Sequence, residues 1–183
     1  CFIYSADPIH PTDLTGKFNT AQGFRPSFNV YMSAASLSSV PQARSGTDRH
    51  AYHLTADYTW GCTQEDSIAA ATEAMGWNTV NKVRTPLKAT DVSSYIAPVL
   101  NSGADVLVLN HYGGNMVNSL TNAVQFGLRD KVVNNKNFEI IVPLYSRLMA
   151  KGAGANVKGI FGSTNWHWSL QDEGSKAFVK SFG

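Results

Sequence analysis

The chain has 183 residues, 43% of them hydrophobic, which is enough to bury the core of a globular domain. Its formal charge of +2, with Lys and Arg scattered along the sequence, argues against a nucleic-acid-binding protein. No apolar run approaches the roughly 20 residues that cross a bilayer, so we predict that the chain is not itself membrane-embedded.

The first 50 residues predict few regular elements. Residues 1–5, CFIYS, form a short β-type run, and a loop rich in Pro, Thr, Asp and Gly follows. Residues 27–37 have a helical pattern. This part of the chain has too few periodic apolar residues to form a core of its own.

A repeated strand-and-helix unit begins after residue 50. Strands that alternate with helices indicate a parallel sheet covered on both faces. We therefore predict an α/β fold: a three-layer α/β/α Rossmann-like lobe with a mainly parallel five-stranded sheet. The predicted strands are 51–55, 78–83, 104–109, 138–142 and 157–161; the predicted helices are 63–76, 90–103 with a bend at Pro98, 113–127, 144–150 and a final one over 172–183.

Aromatic and amide side chains follow the predicted strands at their carboxyl ends. Because parallel strands end at the same edge of a sheet, we expect these residues to converge there, where open α/β sheets bind ligands. Aromatic faces with a few hydrogen-bonding groups suit a small, partly apolar ligand, although each ring alone is as typical of a core. The residues are Trp60, Asn110, His111, Tyr112, Tyr145 and 165–168, with Gly113 and Gly114 offering backbone N–H groups to an anion.

Motifs for catalysis or cofactor binding are weak. The sequence contains neither a G-x-S-x-G elbow nor an H-E-x-x-H motif. The glycines of 151–159 precede a predicted strand, whereas a dinucleotide-binding loop follows one. The histidines lack metal-ligand spacing, and Cys1 and Cys62 form no redox motif. We therefore predict no enzyme activity, no cofactor and no metal site.

Several stretches resemble the type I periplasmic solute-binding proteins of ABC transporters, in the branched-chain amino acid group. Their order and spacing carry the resemblance over nearly the whole chain. In chain order they are DLTGKF (13–18), ADYTWG (56–61), the run over 83–114, AVQFGL (123–128), and GIFGSTNWHW (159–168) followed by AFVKSF (177–182).

The resemblance implies a piece of a larger architecture, in which two α/β lobes joined by hinge crossings trap a ligand between them. It assigns residues 1–25 to the end of the first lobe and a hinge crossing, and residues 26–165 to the second ligand-binding lobe. Residues 166–183 would be the return crossing and the start of a first-lobe helix. The implied location is periplasmic or extracellular.

The resemblance also implies a function: capture of a small amino acid or carboxylate-like solute, aromatic ones included, and its delivery to an ABC transporter membrane permease. Family members often hold the ligand ammonium with a carboxylate near the segment matched by PLYS (143–146), which contains no acid here, so a ligand without that charge is favoured. The implied ligand-binding residues are Trp60 and Tyr112, with His111, Tyr145, Asn165, Trp166 and His10.

Two other classes remain open from the residues alone. A ligand-sensing domain of a receptor or transcriptional regulator shares this kind of fold. A flavodoxin-like or hydrolytic α/β enzyme is the other alternative, which the weak catalytic motifs disfavour.

Overall fold

The computed structural model describes residues 30–182. The predicted strand over 1–5 and the predicted site residue His10 lie outside them. The helices are α1 (Val30–Arg44), α2 (Thr59–Glu73), α3 (Ser93–Ile96), α4 (Gly113–Gln125), α5 (Arg147–Ala153) and α6 (Glu173–Phe182). The strands are β1 (His50–Ala56), β2 (Asn78–Thr85), β3 (Val106–Asn110), β4 (Val132–Val133), β5 (Lys136–Asn137), β6 (Glu139–Val142) and β7 (Phe161–Gly162).

The main sheet has five strands in the order β2-β1-β3-β6-β7, and neighbouring strands all run parallel. Strand β3 lies at its centre, and all five of its residues are buried. A strand that is covered on both faces needs a continuous apolar sequence, which VLVL (106–109) supplies. The predicted three-layer α/β fold with a mainly parallel five-stranded sheet is confirmed.

Helices cover both faces of this sheet because successive residues of β3 point to opposite sides. Leu107 and Leu109 pack in one core with Met116 and Leu120 of α4. Val106 and Val108 pack in the other core, against residues of α1 and α2 that include Leu37 and Ile68. Full burial of such side chains contributes about 1.5–3 kcal/mol each, so the two cores hold the layers together.

Helix boundaries differ from the prediction in informative ways. Helix α2 begins at Thr59, four residues before the predicted start at 63, so Trp60 lies inside the helix. Helix α5 begins at Arg147 rather than at 144, because Ser146 caps its first turn. The helix predicted over 90–103 divides into α3 and a 3₁₀ segment, Ala97–Asn101, with Pro98 in its first turn, which agrees with the predicted bend.

Two strand assignments also change. The fifth strand predicted over 157–161 forms, but it is shorter and begins later: Gly154–Val157 is a 3₁₀ turn, and β7 is only Phe161–Gly162. The small antiparallel hairpin of β4 and β5 was not predicted. Its turn contains Asn134 and Asn135, both with positive φ, a conformation that asparagine tolerates better than most residues.

Within residues 30–182, none of the helices has both the length and the apolar character needed to cross a membrane.

Candidate functional site

The carboxyl edge of the main sheet carries the candidate site, because α2, α4 and α5 begin there after β1, β3 and β6. The caps of these helices are Tyr58, Tyr112 and Ser146. The Ser146 side chain accepts a hydrogen bond from the Met149 backbone N–H at 3.3 Å. Tyr58 and Tyr112 make no side-chain cap, so α2 and α4 direct uncapped first turns toward this edge.

Gly61 explains how α2 comes so close to the end of β1. A Cβ atom at this position would lie 2.2 Å from the backbone oxygen of Ala56, a distance that no side chain tolerates. Glycine therefore allows the first turn of α2 to sit directly on the strand end. Trp60, the preceding residue, is carried over the sheet edge as a result.

Trp60 is the centre of a small aromatic cluster at this edge. Its ring centroid lies 5.8 Å from that of Tyr58 and 6.1 Å from that of Tyr112, which it meets edge to face. Leu144 packs in the same cluster. Only 5% of Trp60 is exposed, whereas 48% of Tyr112 is exposed. Tyr112 is therefore the residue of this cluster whose ring is free to contact a ligand, and the buried Trp60 ring packs against it.

A cavity of about 260 Å³ lies beside Tyr112, between the first turns of α4 and α5. The two helices are in close contact, since a Cβ at Gly152 would lie 3.2 Å from a methyl group of Val117. None of the lining residues carries a charge. They are Tyr112, Gly113, Gly114, Val117, Ser146, Leu148 and Met149.

His111 lies inside the fold, immediately beneath this surface. Its side chain is fully buried, with Ser119 Oγ 2.6 Å from Nδ1 and Thr85 Oγ1 2.9 Å from Nε2. Because the Ser119 hydroxyl donates to the Asn115 carbonyl at 2.8 Å, we assign the proton to Nδ1, which donates to Ser119. Nε2 then accepts from the Thr85 hydroxyl, whose other acceptor, the Thr55 carbonyl, is farther away at 3.4 Å. Burial lowers the pKa of His111 to about 4. A neutral His111 thus joins the end of β2 to α4 and positions Tyr112, and its ring does not reach the exposed edge.

A second buried polar chain joins α2 to the sheet. The fully buried Glu65 carboxylate accepts hydrogen bonds from Thr55 Oγ1 and from Arg84, whose guanidinium lies 3.1 Å away. Asn110 Nδ2 donates to Thr55 Oγ1 at 3.1 Å and to His53 Nδ1 at 3.2 Å. A buried carboxylate is tolerated only with such partners, so this chain fixes α2 against β1, β2 and β3.

The remaining predicted residues follow β6 and β7. Tyr145 is half-buried, its backbone N–H donates to the Ser163 carbonyl at 2.9 Å, and burial raises the pKa of its phenol. Both amide atoms of Asn165 are buried without a hydrogen-bond partner among the described residues. Trp166 packs away from Tyr112: its Nε1 donates to Ser175 of α6 at 2.9 Å, and its ring meets Phe178 edge to face.

Charges at this edge are few. Asp57 is exposed at the end of β1, where its backbone N–H donates to the Thr85 carbonyl at 2.8 Å, and Arg147 is exposed at the start of α5. Burial raises the pKa of Tyr58, with a smaller contribution from Tyr112, so the Tyr58 phenol is neutral at pH 7. Across residues 30–182, no three His, Cys, Asp or Glu side chains are grouped to hold a metal ion.

Sequence reasoning did not identify Tyr58, Leu144 or the cavity residues Val117, Leu148 and Met149 as parts of the site. Tyr58 stands two residues from Trp60, a spacing that places both rings at one helix start once the helix is extended to Thr59. The cavity depends on the packing of two helices that are distant in sequence. No local pattern marks it.

The sequence model of the family described as "Periplasmic binding protein" matches residues 2–183, and the chain belongs to this family. No curated protein matches the chain.

Solved structures share the fold at low sequence identity. An amino acid ABC transporter substrate-binding protein from Pseudomonas fluorescens superposes with a TM-score of 0.81 and 19% identity, covering 98% of this chain and 46% of its own. A leucine-, isoleucine-, valine-, threonine- and alanine-binding protein from Brucella ovis, in a closed conformation, gives 0.78 and 20%, covering 99% and 44%. A solute-binding protein of an ABC transporter from R. palustris, in complex with 4-hydroxybenzoate, gives 0.73 and 21%, covering 92% and 44%. The chain thus spans less than half the length of these proteins.

Proposed function

We propose that this chain contributes one ligand-binding lobe to the substrate-binding component of an ABC-type uptake transporter. Such a protein captures a small solute and passes it to a membrane permease without chemical change. The observation that carries the proposal is the exposed Tyr112 face, held by Trp60 at the carboxyl edge of the sheet and next to an uncharged cavity. Membership of the periplasmic binding protein family supports the same reading and a periplasmic or extracellular location.

In the proposed arrangement, residues 26–165 form the second lobe, and residues 1–25 and 166–183 belong to the crossings and the first lobe. Tyr112 would contact the solute directly. Trp60 and the buried His111 would hold the Tyr112 side chain in place. Tyr145, Asn165 and Trp166 would border the cleft after β6 and β7, and His10 would approach from the other lobe. Hinge closure would then bury the solute between the lobes.

The solute we propose is a small carboxylate or amide, including aromatic ones, without an ammonium group. The PLYS segment contains no acid that could pair with an ammonium, and an unpaired charge is costly to bury. Similar proteins bind either kind of compound, as the amino acid-binding protein from Brucella ovis and the 4-hydroxybenzoate complex from R. palustris illustrate. Asp57 is the exposed acid at this edge, so amino acids belong in the test.

A thermal-shift screen of the purified protein against amino acids and aromatic carboxylates tests this function, because a bound ligand raises the melting temperature. Tyr112→Ala should weaken the stabilising ligand about tenfold, the effect of about 1.4 kcal/mol of lost contact. Phe126→Ala is the matched control, since Phe126 is 36% exposed at the other end of the same helix.

The control variant should bind as the original protein does. Equal losses in the two variants would contradict the proposed site. Conversion of the bound solute into another compound would contradict binding without chemistry.

A further inference from the structure

We propose that the cavity between α4 and α5 is a subsite for an uncharged aromatic ring carried on a short chain, so that the site takes an arylalkyl carboxylate. This inference rests on the proposed function and extends it, since it concerns the cavity that Tyr112 lines together with the first turns of α4 and α5.

The size of the cavity suits a ring with a short linker. A cavity of about 150 Å³ already holds a benzene molecule in a protein core, and this one measures about 260 Å³. Val117 lines the cavity and is in close contact with α5 at Gly152. Met149, only 3% exposed, forms an inner wall, whereas Leu148 is 81% exposed and stands at the mouth. A group that enters past Leu148 is therefore enclosed on several sides.

The chemistry of the lining favours an aromatic ring over a charged or strongly polar group. A positive charge in this cavity would lose its hydration without meeting a counter-ion, since no lining residue is acidic. The Met149 thioether and the Tyr112 ring both make favourable contacts with an aromatic ring. Ser146 Oγ accepts the Met149 N–H, which leaves its hydroxyl proton for an oxygen substituent on the ring.

Tyr112 divides the binding surface into two parts, and this division dictates the length of the ligand. The Tyr112 ring centroid lies 6.1 Å from that of Trp60, and Tyr112 also lines the cavity, whose lining does not include Trp60. A compact ligand such as benzoate can occupy one part only. A ligand with a ring on two or three methylene groups can place its ring in the cavity while its carboxylate stays in the open cleft, where hydration is retained.

A series of phenylalkanoates tests this inference: benzoate, phenylacetate, 3-phenylpropionate and 4-phenylbutyrate. Binding is measured by titration, with ¹³C-labelled methionine methyl groups as NMR reporters. We expect 3-phenylpropionate or 4-phenylbutyrate to bind at least tenfold more tightly than benzoate. The ring current of the bound ligand should shift the Met149 methyl signal and leave that of Met75, which packs against the opposite core, unchanged.

Variants at the mouth and in the cavity provide the control. Val117→Phe fills the cavity, and Leu148→Trp narrows its mouth from an exposed position that does not affect folding. Both should remove the advantage of the longer ligands. Val132→Trp, an exposed substitution in the β4–β5 hairpin, should keep it.

The outcomes separate this inference from the proposed function. Equal affinity along the series with an unshifted Met149 methyl would overturn the subsite and leave the proposed function standing. Binding of amino acids but of no phenylalkanoate would overturn the subsite and the proposed class of solute, and would leave the role of a solute-binding lobe standing. Failure of every solute in both panels would contradict the proposed function as well.

Discussion

Acidification should destabilise this protein through two buried histidines. Burial lowers the pKa of His53 and of His111 to about 4, from the usual 6.5. The unfolded chain therefore takes up these protons near pH 6.5, whereas the folded protein resists until about pH 4. Above pH 6.5 the two histidines do not change the free energy of unfolding. Between about pH 6.5 and pH 4 the free energy of unfolding falls as the pH is lowered. The difference of about 2.5 pKa units corresponds to about 3 kcal/mol for each histidine when the loss is complete.

Urea unfolding between pH 7.5 and pH 5 measures this effect. At pH 5 the linkage relation gives a loss of about 2 kcal/mol per histidine, a large part of a total stability of about 5–15 kcal/mol. The lowered carboxyl pKa values of Asp48, Asp91 and Asp172 affect stability only at lower pH, since unfolded aspartates titrate near 3.8.

The variant His111→Asn should remove about half of this pH dependence, because an amide keeps a donor toward Ser119 and does not titrate. His167→Asn, at an exposed histidine, should leave it unchanged. Stability that stays flat from pH 6.5 to pH 5, or a dependence that survives His111→Asn in full, would refute the reasoning.

Three further predictions concern the first turns of the helices and the charges near them. Gly61→Ala should lower the free energy of unfolding in urea by about 1–3 kcal/mol, because the added methyl group meets the backbone of Ala56. Gly114→Ala, which has open space around it, should leave the free energy of unfolding unchanged. Equal effects of the two variants would show that the close approach at Gly61 is not needed. Arg84→Met leaves the buried Glu65 carboxylate without its counter-ion and should lower the free energy of unfolding by about 3 kcal/mol in the same assay. Adding Glu65→Gln should recover part of this loss. A double variant as unstable as the single one would argue against the ion pair. Asp57→Asn should leave carboxylate binding unchanged in titrations, and a selective loss of amino acid binding would instead identify Asp57 as an ammonium partner.

The sequence predicts the layered fold well because its apolar periodicity is strong. The apolar run over 104–109 is typical of a strand covered on both faces, and β3 is such a strand. The β4–β5 hairpin escaped prediction because strands of two residues show no periodicity. Its one local signal is the pair Asn134 and Asn135, which favours a turn.

The candidate site was only partly predictable, for a geometric reason. Position at a strand end predicts that a residue lies near the sheet edge, and this held for Trp60, Tyr112 and His111. It does not determine which way each side chain points. Tyr112 faces outward, whereas His111, its neighbour, points into the fold because successive residues alternate in direction. The near-complete burial of Trp60 could not be predicted either, because it depends on the close approach of α2 to the end of β1 at Gly61.

The all-parallel pairing of the main sheet has a kinetic consequence. Parallel neighbours cannot be joined by a tight hairpin, so every pairing in this sheet requires the chain to cross back over one of its faces. Three helical segments and strand β2 lie between Ala51 and its partner Val106 in the sequence. The main sheet therefore cannot begin to form from two strands that are adjacent in the sequence and joined by a tight turn. Such non-local pairing slows folding, and unpaired strand edges stay exposed to neighbouring chains for longer, a hazard for refolding at high protein concentration.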